Sequence, residues 1–304
     1  MTPLTALTTW QFAPLVSGVL LVLAAAYLAG AQAVRLRHPA RPWPLRRTAA
    51  FLAGLAVTAA ATQGADAVYD DVALRAHMVQ HLLLIMTAPP LLVYGRPVTL
   101  ALHAARGRWH ARVIRVVRSR PAAALTSPVT AVLLYTAVVL GTHLTPLILA
   151  RGWLHDGEHV AYLAAGYLFF LPVIGSEPAA RRASLLTRYL LLLAAMPSDM
   201  IVGAAYLTAG PFGGYQAADV HTAGLIMLAG GETVMTLLAV GLAAALLLRP
   251  EPAAGAAAGP VVARAGTGTV AGGTVAGGTV VSGTAAGSAD GALDAYNAYL
   301  RSLG

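Results

Sequence analysis

Cysteine is absent from this 304-residue chain, and so is lysine; all 20 residues counted as Lys+Arg are arginine. Without cysteine there are no disulfides, thiolate metal sites, cysteine nucleophiles or iron–sulfur clusters. Without lysine there is no Schiff base, which removes a retinal protein from consideration. Charge is scarce as well. Asp, Glu, Lys and Arg make up 11% of the residues, against about 25% in soluble domains. Hydrophobic residues make up 58%. An ordinary soluble enzyme is excluded, and the composition is that of a polytopic helical membrane protein.

Seven segments are apolar and long enough to propose as spans, since a bilayer needs about 20 such residues. They are roughly Phe12–Val34, Thr48–Gln63, Ala76–Tyr94, Ala122–Thr142, His159–Gly175, Leu185–Ala209 and Val220–Leu248. The loops between them alternate in charge. The first holds Arg35, Arg37, Arg41, Arg46 and Arg47. The third holds Arg96, Arg106, Arg108, Arg112, Arg115, Arg118 and Arg120, and the fifth holds Arg181 and Arg182, with Arg188 just beyond. The second and fourth loops carry only Arg75 and Arg151, and the sixth carries no arginine. Those three loops hold Asp66, Asp70, Asp71, Asp156, Glu158 and Asp219. The net charge of +8 is therefore a topology signal and not a nucleic-acid footprint. The bias predicts an all-α fold of seven transmembrane helices with the N-terminus outside and the C-terminus cytoplasmic. The start, MTPLTALTTWQF, has no basic region before its apolar run, so the first span reads as retained.

The seven-helix domain is expected over 1–248. Residues 249–291 are rich in Ala, Gly, Thr and Val with repeated GGTVA-like units, and read as a flexible linker. Over 292–304, Leu293, Tyr296, Leu300 and Leu303 share one helical face, which fits a short amphipathic helix or a tail.

Six of the nine histidines, His77, His81, His143, His155, His159 and His221, fall at the outer ends of spans three, four, five and seven. His77 and His81 are four apart in HMVQH, and His155 and His159 are four apart in HDGEH. Residues four apart share a helix face, so each pair can present two imidazoles to one ion. A lone interfacial histidine is ordinarily a hydrated polar group. Two matched pairs on one side of the membrane point instead to a metal site. His77, His81, His155 and His159 are the principal ligand candidates; His143, His221 and Asp219 are secondary. Met78, Met196, Met200 and Met227 are optional soft ligands, since thioethers favour Cu(I), although methionine more often fills gaps in apolar cores. Asp199, beside Pro197, either orients a ligating histidine or caps backbone freed by the proline. Pro89, Pro90 and Pro97 are expected to end or kink span three.

The stretch from His77 to Pro97, HMVQHLLLIMTAPPLLVYGRP, resembles the signature of a bacterial family of seven-span cytochrome c oxidase assembly factors, the polytopic CtaG-like proteins. GTHLTPLILARGWLHDGEHVAYLAAGYLFFLPVIG, RYLLLLAAMPSDMIVGAAYL and DVHTAGLIMLAGGE follow in the same order, so the resemblance runs from about Ala76 to Leu248. It matches family histidines at His77, His81, His143, His155 and His159. It departs at Asp219-Val220-His221, where relatives often read Asp-Gln-Gln. The resemblance implies a multi-pass protein of the bacterial plasma membrane that takes part in maturing haem–copper oxidases. It implies copper, as Cu(I) or Cu(II), held at the extracytoplasmic face and delivered to an oxidase subunit, with no catalytic residue. Zinc, which imidazole also suits, and a homodimer stay open.

Three other functions compete. HDGEH has the H-x-x-E-H form of an inverted zinc protease motif, with Glu158 as base. Histidines on neighbouring helices could hold haem iron. A transporter would need polar groups through the full depth, and the inner halves of spans three and five hold almost none.

Overall fold

The computed structural model describes residues 9–69, 72–149, 152–175, 177–178 and 183–247; the linker expected over 249–291 and the terminal helix expected over 292–304 lie outside the described residues. Among the described residues every regular element is helical, apart from one isolated bridge between Phe212 and Tyr215. Six helical stretches are long and apolar enough to cross a membrane: Pro14–Arg37, Leu45–Tyr69, Leu74–Ala104, Trp153–Ile174, Leu185–Thr208 and Ala217–Ala244. The first is α1. The second joins α2 (Leu45–Gln63) to α3 (Ala65–Tyr69) at Gly64. The third is composite: α4 (Leu74–Leu82), a π-helical turn (Leu83–Thr87), α5 (Ala88–Tyr94) and α6 (Pro97–Ala104). After it come α7 (Gly107–Val117), α8 (Arg120–Leu125) and α9 (Pro128–His143). The chain then runs through α10 (Trp153–Ile174), α11 (Leu185–Thr208) and α12 (Ala217–Leu247).

The fourth expected span is divided. Ser127 accepts the Thr130 N–H at 3.2 Å and caps α9, with Pro128 at the first helical position. Ser-Pro is a helix start, because the proline has no N–H to leave unsatisfied there. The 16 residues of α9 rise about 24 Å, short of the other six. The fifth helix begins earlier than expected, at Trp153, which brings His155 into its first turn.

Pro89 and Pro90 do not end the third span. Pro89 has no N–H for the carbonyl of Ile85, and the π turn widens the helix at that place. The freed Ile85 carbonyl faces Gly166 of α10, where any Cβ would collide with it. Gly166 thus lets α10 approach the turn at backbone distance. The break comes later, at Arg96, which holds a left-handed φ of 53° before Pro97 restarts the helix. Glu177 caps that restart from the far loop: its carboxylate accepts the N–H groups of Val98 and Thr99 at 3.0 and 2.9 Å and the Thr99 hydroxyl at 2.6 Å. Burial raises the Glu177 carboxyl above the ordinary carboxylate range, against the downward pull of those donors.

Tyr135, Tyr162, Phe169, Phe170 and Met86 are fully buried in a core built by the third span and α9–α12. A second cluster of Tyr27, Phe51, Leu92 and Leu100 ties α1 and α2 to α5 and α6. Within it the Tyr27 hydroxyl donates to the Gly95 carbonyl at 2.6 Å and accepts from Trp43 Nε1 at 3.0 Å. The outward face of α1 leaves Leu15, Leu21 and Val22 exposed, as expected of a helix whose solvent is lipid.

Candidate metal centre

Two helix beginnings meet. His77 and His81 occupy the first turns of α4, and His155, Glu158 and His159 the first turns of α10. The i, i+4 spacing stacks each pair along one face, with ring centroids 4.0 Å apart for His77–His81 and 4.3 Å for His155–His159. Across the helices, His77 and His155 lie 5.2 Å apart, and His81 and His159 6.4 Å. One ligand atom each from His77, His81, His155 and Glu158 falls within 4.8 Å of all the others. Four ligands around one tetrahedral ion stand about 3.3 Å apart, given metal–nitrogen bonds of about 2.0–2.1 Å. Contraction by about 1.5 Å therefore closes this set on an ion.

Burial gives the cluster its character. His77 and His81 are each 1% exposed and Glu158 is 6% exposed. His81 Nε2 and Glu158 Oε1 are buried and meet no hydrogen-bond partner among the described residues. Leaving such groups unsatisfied costs free energy, and an ion removes that cost. The other Glu158 oxygen lies 3.3 Å from His155 Nδ1.

His143 fixes the protons. Its Nδ1 lies 2.8 Å from the Val139 carbonyl, which can only accept, so Nδ1 carries the hydrogen. Its Nε2 is then an acceptor, and it lies 3.3 Å from His81 Nδ1. His81 therefore donates from Nδ1 and keeps the lone pair on Nε2, which is buried and meets no hydrogen-bond partner among the described residues. A histidine ligand is normally oriented in this way through its other nitrogen. His143 is held in turn by the Tyr206 hydroxyl, which donates to its carbonyl at 2.6 Å. Tyr162, in contact with the Thr142 hydroxyl, packs its ring 4.0 Å from that of His81.

The remaining candidates lie elsewhere. Asp219 accepts the Leu74 N–H at 2.6 Å and pairs with Arg75 at 2.7 Å. It caps α4 from α12 and so sets the position of His77 and His81, without offering its carboxylate to the cluster. His221, on the next exposed position of α12, faces outward. Asp199 accepts the Tyr135 hydroxyl at 3.1 Å, and among the described residues it bonds neither a histidine nor the backbone around Pro197. Met78 and Met227 belong to the apolar core, Met196 packs against it, and Met200 is 50% exposed. Glu158 is the residue that sequence reasoning assigned only a protease role. Its i, i+3 spacing from His155 was the signal that could have placed it among the ligands.

Residues 25–249 match the family described as cytochrome c oxidase caa3 assembly factor. The chain belongs to this family. Sequences similar to this member of the caa3 assembly factor family include uncharacterized proteins of Mycobacterium leprae, 32% identical over 211 residues, and of Mycobacterium bovis and Mycobacterium tuberculosis, each 34% identical over 212 residues. Each alignment covers 66% of this chain and 32% of the mycobacterial protein, so the chain spans about a third of the length of these relatives. No solved structure matches.

Proposed function

We propose that this chain serves the assembly of a haem–copper oxidase by holding a copper ion and handing it to an oxidase subunit. The observation that carries this reading is the buried group of His77, His81, His155 and Glu158, with ligand atoms within 4.8 Å of one another. Membership of an oxidase assembly family supplies the recipient. On this reading α9 is a seventh, short crossing, and the arginine distribution supports an N-terminus outside, a C-terminus in the cytoplasm and this cluster at the extracytoplasmic face.

Three neutral imidazoles and one carboxylate make a nitrogen-rich donor set without a thioether. Such a set suits Cu(II) and Zn(II) better than Cu(I). The carboxylate also offsets part of the ion's charge in a largely buried site. The site has one softer side. His155 and Glu158 keep 12% and 7% of their side-chain exposure, and the adjoining Trp153 is 79% exposed. The ion therefore enters and leaves on the α10 side, where Trp153 and Leu154 form an apolar lip for the recipient. His81 packed on Tyr162 at 4.0 Å leaves no slot for a porphyrin on that face.

The test is metal content by mass spectrometry on detergent-purified protein after loading with Cu(II), Cu(I) or Zn(II) and desalting. Wild type is expected to keep copper in a fixed ratio to protein, and a His77→Ala/His81→Ala variant to lose it. Wild type that retains no metal from any of the three loadings sinks the reading.

A further inference from the structure

Helix α7, Gly107–Val117, lies beyond the end of the Leu74–Ala104 span that is farther from His77. Its sequence, GRWHARVIRVV, separates into two stripes. Arg108, Arg112 and Arg115 recur at i, i+4 and i+7, and Trp109, Val113 and Val116 do the same one position later. Val117 extends the apolar stripe. None of the helix's residues is buried, and Trp109 and Val116 are 58% and 67% exposed. The bundle thus leaves Trp109 and Val116 uncovered and covers Val113 and Val117 only in part. The helix is nonetheless fixed in place. The Leu102 carbonyl can only accept, so His110 Nδ1–H donates to it at 3.0 Å and ties α7 to the last turn of α6. That tether holds α7 beside the Ala104 end of the Leu74–Ala104 stretch. Arg112 lies over the Trp109 ring, 4.7 Å from its centroid, and so sits beside the junction of the two stripes. From Arg96 to Arg120 the chain carries seven arginines and no acidic residue.

We propose that α7 is an interfacial helix whose partner is anionic phospholipid. Trp109, Val113, Val116 and Val117 enter the boundary between headgroups and acyl chains, and Arg108, Arg112 and Arg115 bind lipid phosphates. The exposed Trp109 and Val116 call for an apolar partner, and the acyl boundary at the end of a membrane span supplies one without any further protein. The run of arginines without a neighbouring acid is complementary to a phosphate surface. Guanidinium groups also bind phosphate oxygens in pairs, which favours this residue over a simple point charge.

The absence of cysteine makes the test clean, since one introduced cysteine carries one spin label. The full chain is reconstituted in lipid nanodiscs with and without phosphatidylglycerol. Labels are placed at Trp109→Cys, Val113→Cys and Val116→Cys, and at Arg108→Cys, Arg112→Cys and Arg115→Cys. Collision with oxygen, which concentrates in acyl chains, is compared with collision with a water-soluble nickel chelate. With phosphatidylglycerol present, the apolar-stripe labels are expected to favour oxygen and the arginine-stripe labels nickel. Removing phosphatidylglycerol, or adding Arg108→Gln and Arg112→Gln in the Val116→Cys background, is expected to raise nickel access at Val116→Cys. Each arginine lost should weaken docking by about fivefold. The helical periodicity of the labels, followed in every variant, separates undocking from unfolding. Nickel access on both stripes in phosphatidylglycerol overturns the proposal and leaves the stripe to a protein partner. Equal protection with and without phosphatidylglycerol overturns the recognition of anionic lipid.

Discussion

A carboxylate among three imidazoles changes which ions the site can hold. Neutral histidines add no charge, so the only formal negative charge in the four-ligand group belongs to Glu158. Glu158→Gln keeps the volume and removes that charge. It is expected to weaken Cu(II) binding, read by competition with a chromophoric chelator, by more than a change to the orienting residue does. That orienting residue is His143. Removing such a partner typically costs about 10–100-fold in metal affinity, and His143→Phe is expected to fall in this range. His143→Gln, which retains an acceptor for His81 Nδ1–H, should recover part of it; equal loss in both variants sinks the tautomer argument. His221→Ala is expected to leave copper retention unchanged, because that side chain is exposed and turned outward. The paired histidines were readable in the sequence because their spacing is local. The role of His143 was not, since it depends on a contact between positions 62 apart.

At the scale of elements, the helices that carry the clustered histidines are placed by features with no metal chemistry. Gly166 receives the Ile85 carbonyl that Pro89 leaves without a donor. Gly166→Ala forces α10 off the π turn, and overpacking of this kind costs about 1–3 kcal/mol. The variant is expected to show a lower thermal midpoint in detergent together with weaker copper binding, since α10 carries His155, Glu158 and His159. Unchanged copper binding in that variant would mean that the two helix starts are positioned independently of this crossing. Glu177→Ala removes the cap of α6 and is expected to cost about 1–2 kcal/mol, with metal binding preserved because α6 lies at the other end of its span. Much of this level was legible: six of the seven apolar runs became helices long enough to cross a bilayer. The division before Pro128 was also written in the sequence as a Ser-Pro start, and the apolar run around it masked the signal.

For the whole molecule, the number of crossings decides whether the two termini share a side. With seven, the termini are on opposite sides; with six, on the same side. Alkaline phosphatase, active only outside the cytoplasm, is expected to work when fused to the N-terminus. Green fluorescent protein, which needs the cytoplasm to mature, is expected to fluoresce at the C-terminus. One reporter responding at both ends would remove α9 from the count. The sequence by itself determined the all-helical membrane character, the two His-x-x-x-His faces and the arginine asymmetry, because each follows from composition or from residues within one or two helical turns. Only the tertiary structure decided that Glu158 lies within 4.8 Å of ligand atoms of His77, His81 and His155, that His143 contacts His81, and that Asp219 caps α4 from 145 positions away. Those choices rest on which helix ends meet. That is set by the packing of whole helices against one another, through close contacts such as Gly166 on the π turn, and no local pattern encodes it.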